Sequence, residues 1–324
     1  MQLCTARPLA AMTFFVLATL AAAACGDGAT TPPDSTSDPN RDRLEITLSY
    51  GASGSPTSID LFEITKDGRL TTPLVSSDAN DLLPQGSNDG KKLLFTRFSA
   101  GAVPVASLWV RSSELPGLRQ IIVDPNPPAN TFNHQMYGSW SPDGASIAFY
   151  RSIGSTGENG IAVMAADGSG VRWLVLGADA PSWSVNGRIA FGKDGFIWTI
   201  NPDGSGLLRV TSANGDFFPK WSRDGSKLVF LHATPSIGTN HDKDFDVVTI
   251  RADGTDRRTL AIGAINENPS WSPDGAYVLF DRRDVSNPTQ EKCALYKIAA
   301  GGGAPVNLTP DRGVGSCGGA SWRP

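Results

Sequence analysis

Three histidines, His134, His232 and His241, are the residues of this sequence best suited to proton transfer or metal binding. Histidine titrates near neutral pH and is the most frequent metal ligand, so a cluster of histidines would indicate a catalytic base or a metal site. Here the three are spread along the sequence in segments that read as loops. We therefore predict that the protein has no catalytic residue, no bound cofactor and no metal site.

Calcium is the alternative, because residues 241–246, HDKDFD, resemble the start of a calcium-binding loop. Such a loop requires glycine at its sixth position and glutamate at its twelfth. Counted from Asp242, Val247 and Asp253 stand at those positions. The broken pattern does not favour calcium binding.

The sequence also argues against a phosphate-binding loop and against a hydrolase nucleophile. The tetrapeptide DGSG occurs at 167–170 and 203–206. A phosphate-binding loop opens a helix, whereas both tetrapeptides connect predicted strands and are interpreted as turns. The sequence contains no G-x-S-x-G pentapeptide, the nucleophile pattern of α/β-hydrolases. The sequence therefore predicts a protein that is not an enzyme.

The first 24 residues predict an export signal. Arg7 precedes an apolar run, and Ala22, Ala23 and Ala24 lead to Cys25. This ending resembles a bacterial lipoprotein signal, in which the cysteine is lipidated and becomes the new N-terminus. Residues 25–42 are almost free of aliphatic and aromatic side chains, so they predict a disordered tether. We expect an exported protein, lipid-anchored at Cys25 and facing the periplasm or the cell surface.

Two cysteines remain beyond the signal and the anchor. Cys293 and Cys317 lie in an exported chain, where disulfides form and persist. We predict that they form a disulfide, which would contribute about 3 kcal/mol by the chain-entropy model. The alternative is a pair of buried thiols.

The domain after residue 42 is built from a repeat. SWSPDG stands at 139–144 and again at 270–275, with related copies at 182–187 and 220–225 and a degraded copy that starts at Gly86. A second half of each unit, such as FIWTINPDGSGLLRVT, contains an alternating strand, an Asp-Gly turn and another strand. One unit therefore predicts four strands. In the turn itself, proline presets φ and glycine adopts the left-handed conformation that follows a type I turn.

These motifs resemble the TolB-type, WD-like β-propeller repeat, whose pattern runs W-S-P-D-G-x-x-I-x-F and then I-Y-V-M-x-x-D-G. The resemblance covers residues 44–324 and implies an all-β fold, a six-bladed β-propeller of four-stranded blades over 43–324. The final ASWRP supplies one strand to the three strands of residues 44–75. We therefore expect the C-terminal strand to pair with the N-terminal strands and close the ring, which removes the exposed sheet edge. The repeated tryptophans predict core packing between blades.

The long connections predict the binding face. The tight SPDG and DGS turns share one face of a propeller, and the long, irregular loops share the other. Functional residues concentrate on long loops held by a rigid scaffold, although these loops could equally be tolerated insertions. The candidate contacts on this face are Phe132, His134, Tyr137, His232, His241, Asp242, Arg282 and Arg283.

Charge argues against one class of partner. The chain has 28 Lys and Arg against 32 Asp and Glu, a net charge of −4, without the clustered basic face that nucleic acid requires. We expect a non-catalytic scaffold that binds an envelope protein or polymer. The alternative is a ligand- or carbohydrate-binding protein, or an enzyme, with a small polar site in the central channel.

Overall fold

The structure, a computed structural model, describes residues 46–51, 59–64, 70–99, 104–114, 117–121, 133–235, 243–284, 292–309 and 318–322. They all belong to one compact unit, Asp38–Pro324. The signal segment, the lipidation site Cys25 and the tether lie outside the described residues, so those predictions stay predictions. The same holds for the predicted site residues Phe132, His241, Asp242 and Cys317.

All regular secondary structure among the described residues is β-strand, which confirms the predicted all-β class. None of these residues forms a helix long and apolar enough to cross a membrane. The strands are β1 (Ile46–Gly51), β2 (Ile59–Ile64), β3 (Leu70–Val75), β4 (Asn80–Gly86), β5 (Lys92–Phe98), β6 (Ala106–Ser112), β7 (Leu118–Ile121), β8 (Asn133–Trp140), β9 (Ser146–Ile153), β10 (Glu158–Ala165), β11 (Arg172–Leu176), β12 (Asp179–Trp183), β13 (Ile189–Lys193), β14 (Phe196–Ile200), β15 (Leu208–Arg209), β16 (Asp216–Trp221), β17 (Lys227–Pro235), β18 (Lys243–Arg251), β19 (Arg258–Ala261), β20 (Ile265–Trp271), β21 (Tyr277–Asp284), β22 (Lys292–Ala299), β23 (Val306–Asn307) and β24 (Ala320–Trp322).

The strands pair in antiparallel groups of four. Four sheets have the orders β24-β1-β2-β3, β4-β5-β6-β7, β8-β9-β10-β11 and β12-β13-β14-β15. The groups β16–β19 and β20–β23 are joined into one sheet by a single parallel pairing, Phe245 with Ile265. The last strand therefore completes the first sheet, with Trp322 opposite Ile46 and Ala320 opposite Leu48.

The tight turns have the predicted geometry. In the turn after β8, the Gly144 amide donates to the Ser141 carbonyl at 2.9 Å, and Gly144 has a φ of +67°. The Ser146 amide donates to the Ser141 hydroxyl at 2.8 Å. The turn at Ser272–Gly275 repeats the backbone bond at 2.9 Å, with a glycine φ of +68°. Serine and glycine of SPDG are therefore required by the turn itself.

The core follows the repeat. One phenylalanine stands at the same position in five second strands and is at most 1% exposed in each, which stabilises the fold by about 2 kcal/mol or more per side chain. These residues are Phe95, Phe149, Phe191, Phe230 and Phe280.

The repeated tryptophans are less uniform than expected. Trp140 and Trp271 are buried, 5% and 7% exposed, as core packing predicts. Trp183, Trp221 and Trp322 pack against hydrophobic clusters but stay half-buried. Their remaining surface faces a cavity.

Candidate binding site

A cavity of about 190 Å³ lies where the first strand of each group ends. We call β4, β8, β12, β16, β20 and β24 the first strands, and all six contribute to its wall. Each first strand contacts the next in that order, and β24 also contacts β4. The described lining residues are Leu83, Pro84, Gln85, Gly86, Asn88, Tyr137, Gly138, Ser182, Trp183, Val185, Phe218, Lys220, Trp221, Ser222, Arg223, Asn268, Pro269, Ser270, Trp271, Pro273, Gly319, Ala320, Ser321 and Trp322.

A β-bulge shapes the wall in the same way in five first strands. The register shifts by one residue in β4, β8, β12, β16 and β20. One residue of each bulge has a positive φ between +47° and +58°, and Gly319, just before β24, has +90°. A bulge bends its strand and redirects the next side chains. The non-glycine residues are Leu83, Tyr137, Ala180, Phe218 and Asn268.

After the bulge, each first strand carries one polar residue at the same position. It directly precedes the tryptophan, or Gly86 in β4; the six are Gln85, Ser139, Ser182, Lys220, Ser270 and Ser321. We call this set the polar ring.

Most members of the polar ring join two strands. The Trp183 amide donates to Ser139 Oγ at 2.8 Å, and the Trp221 amide donates to Ser182 Oγ at 3.1 Å. Ser270 Oγ donates to the Ala320 carbonyl at 2.9 Å. These three serines are therefore structural cross-links between consecutive first strands.

Ser321 and Lys220 do not follow this rule. Ser321 Oγ is buried without a hydrogen-bond partner in the described part of the chain. The Lys220 ammonium forms no hydrogen bond or ion pair with a described residue. Burial among the cavity walls lowers the pKa of Lys220 to about 8. Lys220 and Arg223 are the charged residues in the described lining, and both are cations.

Tryptophan rings form much of the cavity wall. Trp183, Trp221, Trp271 and Trp322 line the cavity. The Nε1 atoms of Trp221, Trp271 and Trp322 are buried and have no hydrogen-bond acceptor in the described part of the chain. The described wall of the cavity thus combines aromatic surface and positive charge.

Two carboxyl groups outside the described lining have raised pKa values. Burial raises the pKa of Asp179 to about 6, and Asp179 Oδ1 has no described hydrogen-bond partner. Burial also raises the pKa of Asp281 to about 7, against the lowering effect of the bond from Asn268 Nδ2 at 3.0 Å. Burial raises the pKa of Tyr137, with a smaller effect from Asp179.

The residues predicted for the long-loop face separate in the structure. Tyr137 lines the cavity, whereas His134, His232, Arg282 and Arg283 are not part of its lining. His134 Nδ1 accepts from the Ala106 amide at 3.3 Å. His232 Nδ1 lies 2.7 Å from Asp216 Oδ1 in β16. In β20, Asn266 Oδ1 accepts from Arg282 Nε at 2.9 Å, and Glu267 pairs with Arg283 at 3.0 Å. These pairings stabilise the start of β16 and β20.

Two further predictions concern a metal site and a disulfide. Among the described residues, no three His, Cys, Asp or Glu side chains gather closely enough to hold a metal ion. Cys293 is disulfide-bonded. Its predicted partner Cys317 lies outside the described residues, so the pairing of these two cysteines stays a prediction.

A second cavity, of about 260 Å³, opens between β16–β19 and β20–β23. Its lining holds three cations, Lys227, Arg251 and Arg258, and one carboxylate, Asp256, which accepts from Arg258 Nε at 2.7 Å and lies 3.6 Å from Arg251 Nε. It is framed by two groups of strands, whereas the 190 Å³ cavity is framed by six first strands. The cavity among the first strands is therefore the stronger candidate site.

The repeat, the four-stranded groups and the cavity agree with a match of residues 55–324 to the family described as the TolB beta propeller domain. The chain belongs to this family. Among similar proteins, an uncharacterized protein of Agrobacterium fabrum is 32% identical over 164 residues, which cover 44% of this chain and 53% of that protein. The Tol-Pal system protein TolB of Francisella tularensis is 22% identical over 256 residues, which cover 74% of this chain and 54% of that protein.

The chain thus spans about half the length of these two relatives. Solved structures show the same fold. TolB from Acinetobacter baumannii superposes with a TM-score of 0.69 at 20% identity, covering 86% of this chain and 66% of that one. A putative TolB from Agrobacterium tumefaciens gives 0.61 at 18% identity, covering 85% of this chain and 91% of that one.

Proposed function

We propose that this chain is a lipid-anchored, extracytoplasmic scaffold that binds an envelope protein through the cavity among the first strands and catalyses no reaction. The observation that carries the proposal is the cavity itself, since all six first strands contribute to its wall. Aromatic side chains with a few polar groups are typical of binding pockets.

The proposal includes a six-bladed ring closed by β24. Its support is that β24 pairs with β1 and contacts the first strands on both sides, β20 and β4. The Leu83 amide also donates to the Gly318 carbonyl at 2.7 Å. A closed ring would hold the six strand ends at fixed positions, which favours binding without reorganisation.

The envelope location rests on the sequence and on the relatives. The segment that ends at Cys25 resembles a lipoprotein signal, and a tether of residues 25–42 would place the domain away from the bilayer. Relatives are named as Tol-Pal system proteins. An envelope protein is therefore the partner we propose.

His232 and Asp216 are the described pair that most resembles a catalytic arrangement, and their contacts indicate a structural role. His232 Nδ1 lies 2.7 Å from Asp216 Oδ1, the geometry of a base and the group that orients it. Asp216 also accepts from both terminal nitrogens of Arg257, each at 2.8 Å. The carboxylate of β16 is thus held by His232 of β17 and by Arg257, which directly precedes β19, as expected of an internal cross-link.

The test is a capture experiment from detergent-solubilised envelope with the full chain as bait. Ser321→Trp would fill the cavity, whereas Leu208→Trp adds the same side chain at an exposed site on β15. We expect a stoichiometric protein partner that is lost with the first variant and kept with the second. Thermal unfolding of both variants checks that they fold.

A third variant distinguishes the two faces. Replacing residues 236–242 by a short Gly-Ser turn alters the long-loop face and leaves the described cavity wall unchanged. If this variant loses the partner while Ser321→Trp keeps it, the binding site lies on the long-loop face and the proposed site is wrong.

A further inference from the structure

Lys220 stands where the repeat has serine or glutamine in the other first strands. Serine fills this position in β8, β12, β20 and β24, and at Ser139, Ser182 and Ser270 it forms a hydrogen bond to the next first strand. The fold therefore has a well-defined structural solution at this position. In β16 a lysine replaces it, and the cross-link is lost. Departures from a local rule without a structural gain are expected at functional sites.

The ammonium group of Lys220 is placed to meet a ligand. It lies in the cavity wall, forms no ion pair with a described residue, and has no carboxylate neighbour in the described lining. Arg223, exposed in the following turn, adds a second positive charge at the cavity. The cavity therefore favours an anionic group although the whole chain carries a net charge of −4.

The size and the wall of the cavity restrict the anion further. A volume of about 190 Å³ equals roughly six water molecules at 30 Å³ each, enough for one or two side chains of an inserted segment. Trp183, Trp221 and Trp322 line the same cavity with half-buried aromatic surface. A carboxylate on a polypeptide side chain or terminus fits this volume and can accept a charge-assisted hydrogen bond from the ammonium.

We propose that Lys220 is the anion-binding residue of the cavity and receives a carboxylate of an acidic polypeptide segment from the partner protein. The inference rests on the proposed function and adds the chemistry of the segment, an Asp or Glu side chain or a C-terminal carboxylate flanked by apolar residues. Such a charge-assisted hydrogen bond in a partly desolvated cavity is stronger than the same pair on the surface.

The probe is a random heptapeptide library displayed on phage, selected on the full chain in detergent micelles. We expect the enriched peptides to carry Asp or Glu above the library frequency. The strongest is then synthesised with its acid and with the matching amide. Calorimetry should show at least a tenfold weaker affinity for the amide peptide on the wild-type chain, and a similar loss for the acidic peptide on Lys220→Met.

Matched variants separate charge from packing. Lys220→Arg keeps the charge and should keep the preference for the acidic peptide, whereas Lys220→Ser installs the residue of the repeat and should lose it while remaining at least as stable. Lys227→Met removes an exposed lysine of β17 and should leave binding unchanged.

Two results would overturn the inference in distinguishable ways. If selected peptides bind wild type and Lys220→Met equally but fail on Ser321→Trp, the cavity binds peptides and the role of Lys220 is wrong. If no peptide is enriched, or if the enriched peptides bind Ser321→Trp as well as wild type, the cavity is not the binding site and both proposals fail.

Discussion

The side chain of Asp281 accepts a hydrogen bond from the backbone amide of Gly319, 3.0 Å away. Asp281 lies in β21, whereas Gly319 immediately precedes β24, which pairs with β1 in the first sheet. A fully buried carboxyl group therefore helps to hold the last strand in place. The same Oδ2 atom accepts from Asn268 Nδ2 at 3.0 Å.

This carboxyl group makes the stability of the domain depend on pH. Burial raises the pKa of Asp281 to about 7, so the folded state holds its proton more tightly than the unfolded state does. The contribution is fully present below the unfolded pKa near 4 and is lost as pH rises to about 7, on the order of 4 kcal/mol in total. Asp281→Asn keeps an acceptor without a charge. Denaturant unfolding from pH 4 to 8 should show a smaller decline for the variant, and equal slopes would show that Asp281 is ionised without penalty.

The bulge at Ala180 predicts an unusual gain from glycine. Ala180 is buried and has a φ of +47°, a conformation that costs an L-residue about 1 kcal/mol and glycine almost nothing. Ala180→Gly should therefore leave the free energy of unfolding unchanged or raise it by up to about 1 kcal/mol. Ala190→Gly is the control, because Ala190 is equally buried in β13 without a positive φ. It should lower stability by about 1 kcal/mol. If both variants lose the same free energy of unfolding, the positive φ of Ala180 does not strain the backbone.

The repeat allowed much of the fold to be predicted, because its turns have a direct chemical signature. The turn sequence SPDG predicts the positive φ of Gly144 and Gly275. The last copy of the repeat predicts the strand that ends at Trp322. The bulges were missed, since Leu83, Tyr137 and Phe218 are not residues that normally adopt a positive φ. Their signal was positional, three residues before the end of the repeat strand.

The candidate site was predicted less well than the fold. The loop lengths favour the long-loop face, and of its described candidates Tyr137 lines the cavity. The sequence shows Lys220 as a departure from the repeat, because KWSRDG replaces SWSPDG. The sequence of one strand does not show which of its side chains faces a cavity that six strands form. That information requires the bulges and the order of the first strands.

The predicted disulfide of Cys293 gives a test in solution. Cys293 is disulfide-bonded, and a bond to Cys317 would close a loop of about 24 residues, worth about 3 kcal/mol by the chain-entropy model. Cys293→Ser, Cys317→Ser and the double variant should lose the same stability, and reductant should destabilise only the wild type. Peptide mapping without reduction identifies the bonded pair. A different loss in the two single variants would show that the bond joins other cysteines.

The cross-link through Asp216 should be among the costliest sites to change. Its carboxylate has no exposed surface, accepts two bonds from Arg257 and lies 2.7 Å from His232. Asp216→Asn leaves the guanidinium without its counter-charge, and removing one partner of a buried pair typically costs about 3–5 kcal/mol. Asp78→Asn, at an exposed bend, should change stability by less than about 0.5 kcal/mol. The free energy of unfolding in urea measures both. If Asp216→Asn behaves like the exposed control, Arg257 and His232 are held by their packing and the carboxylate contributes no cross-link.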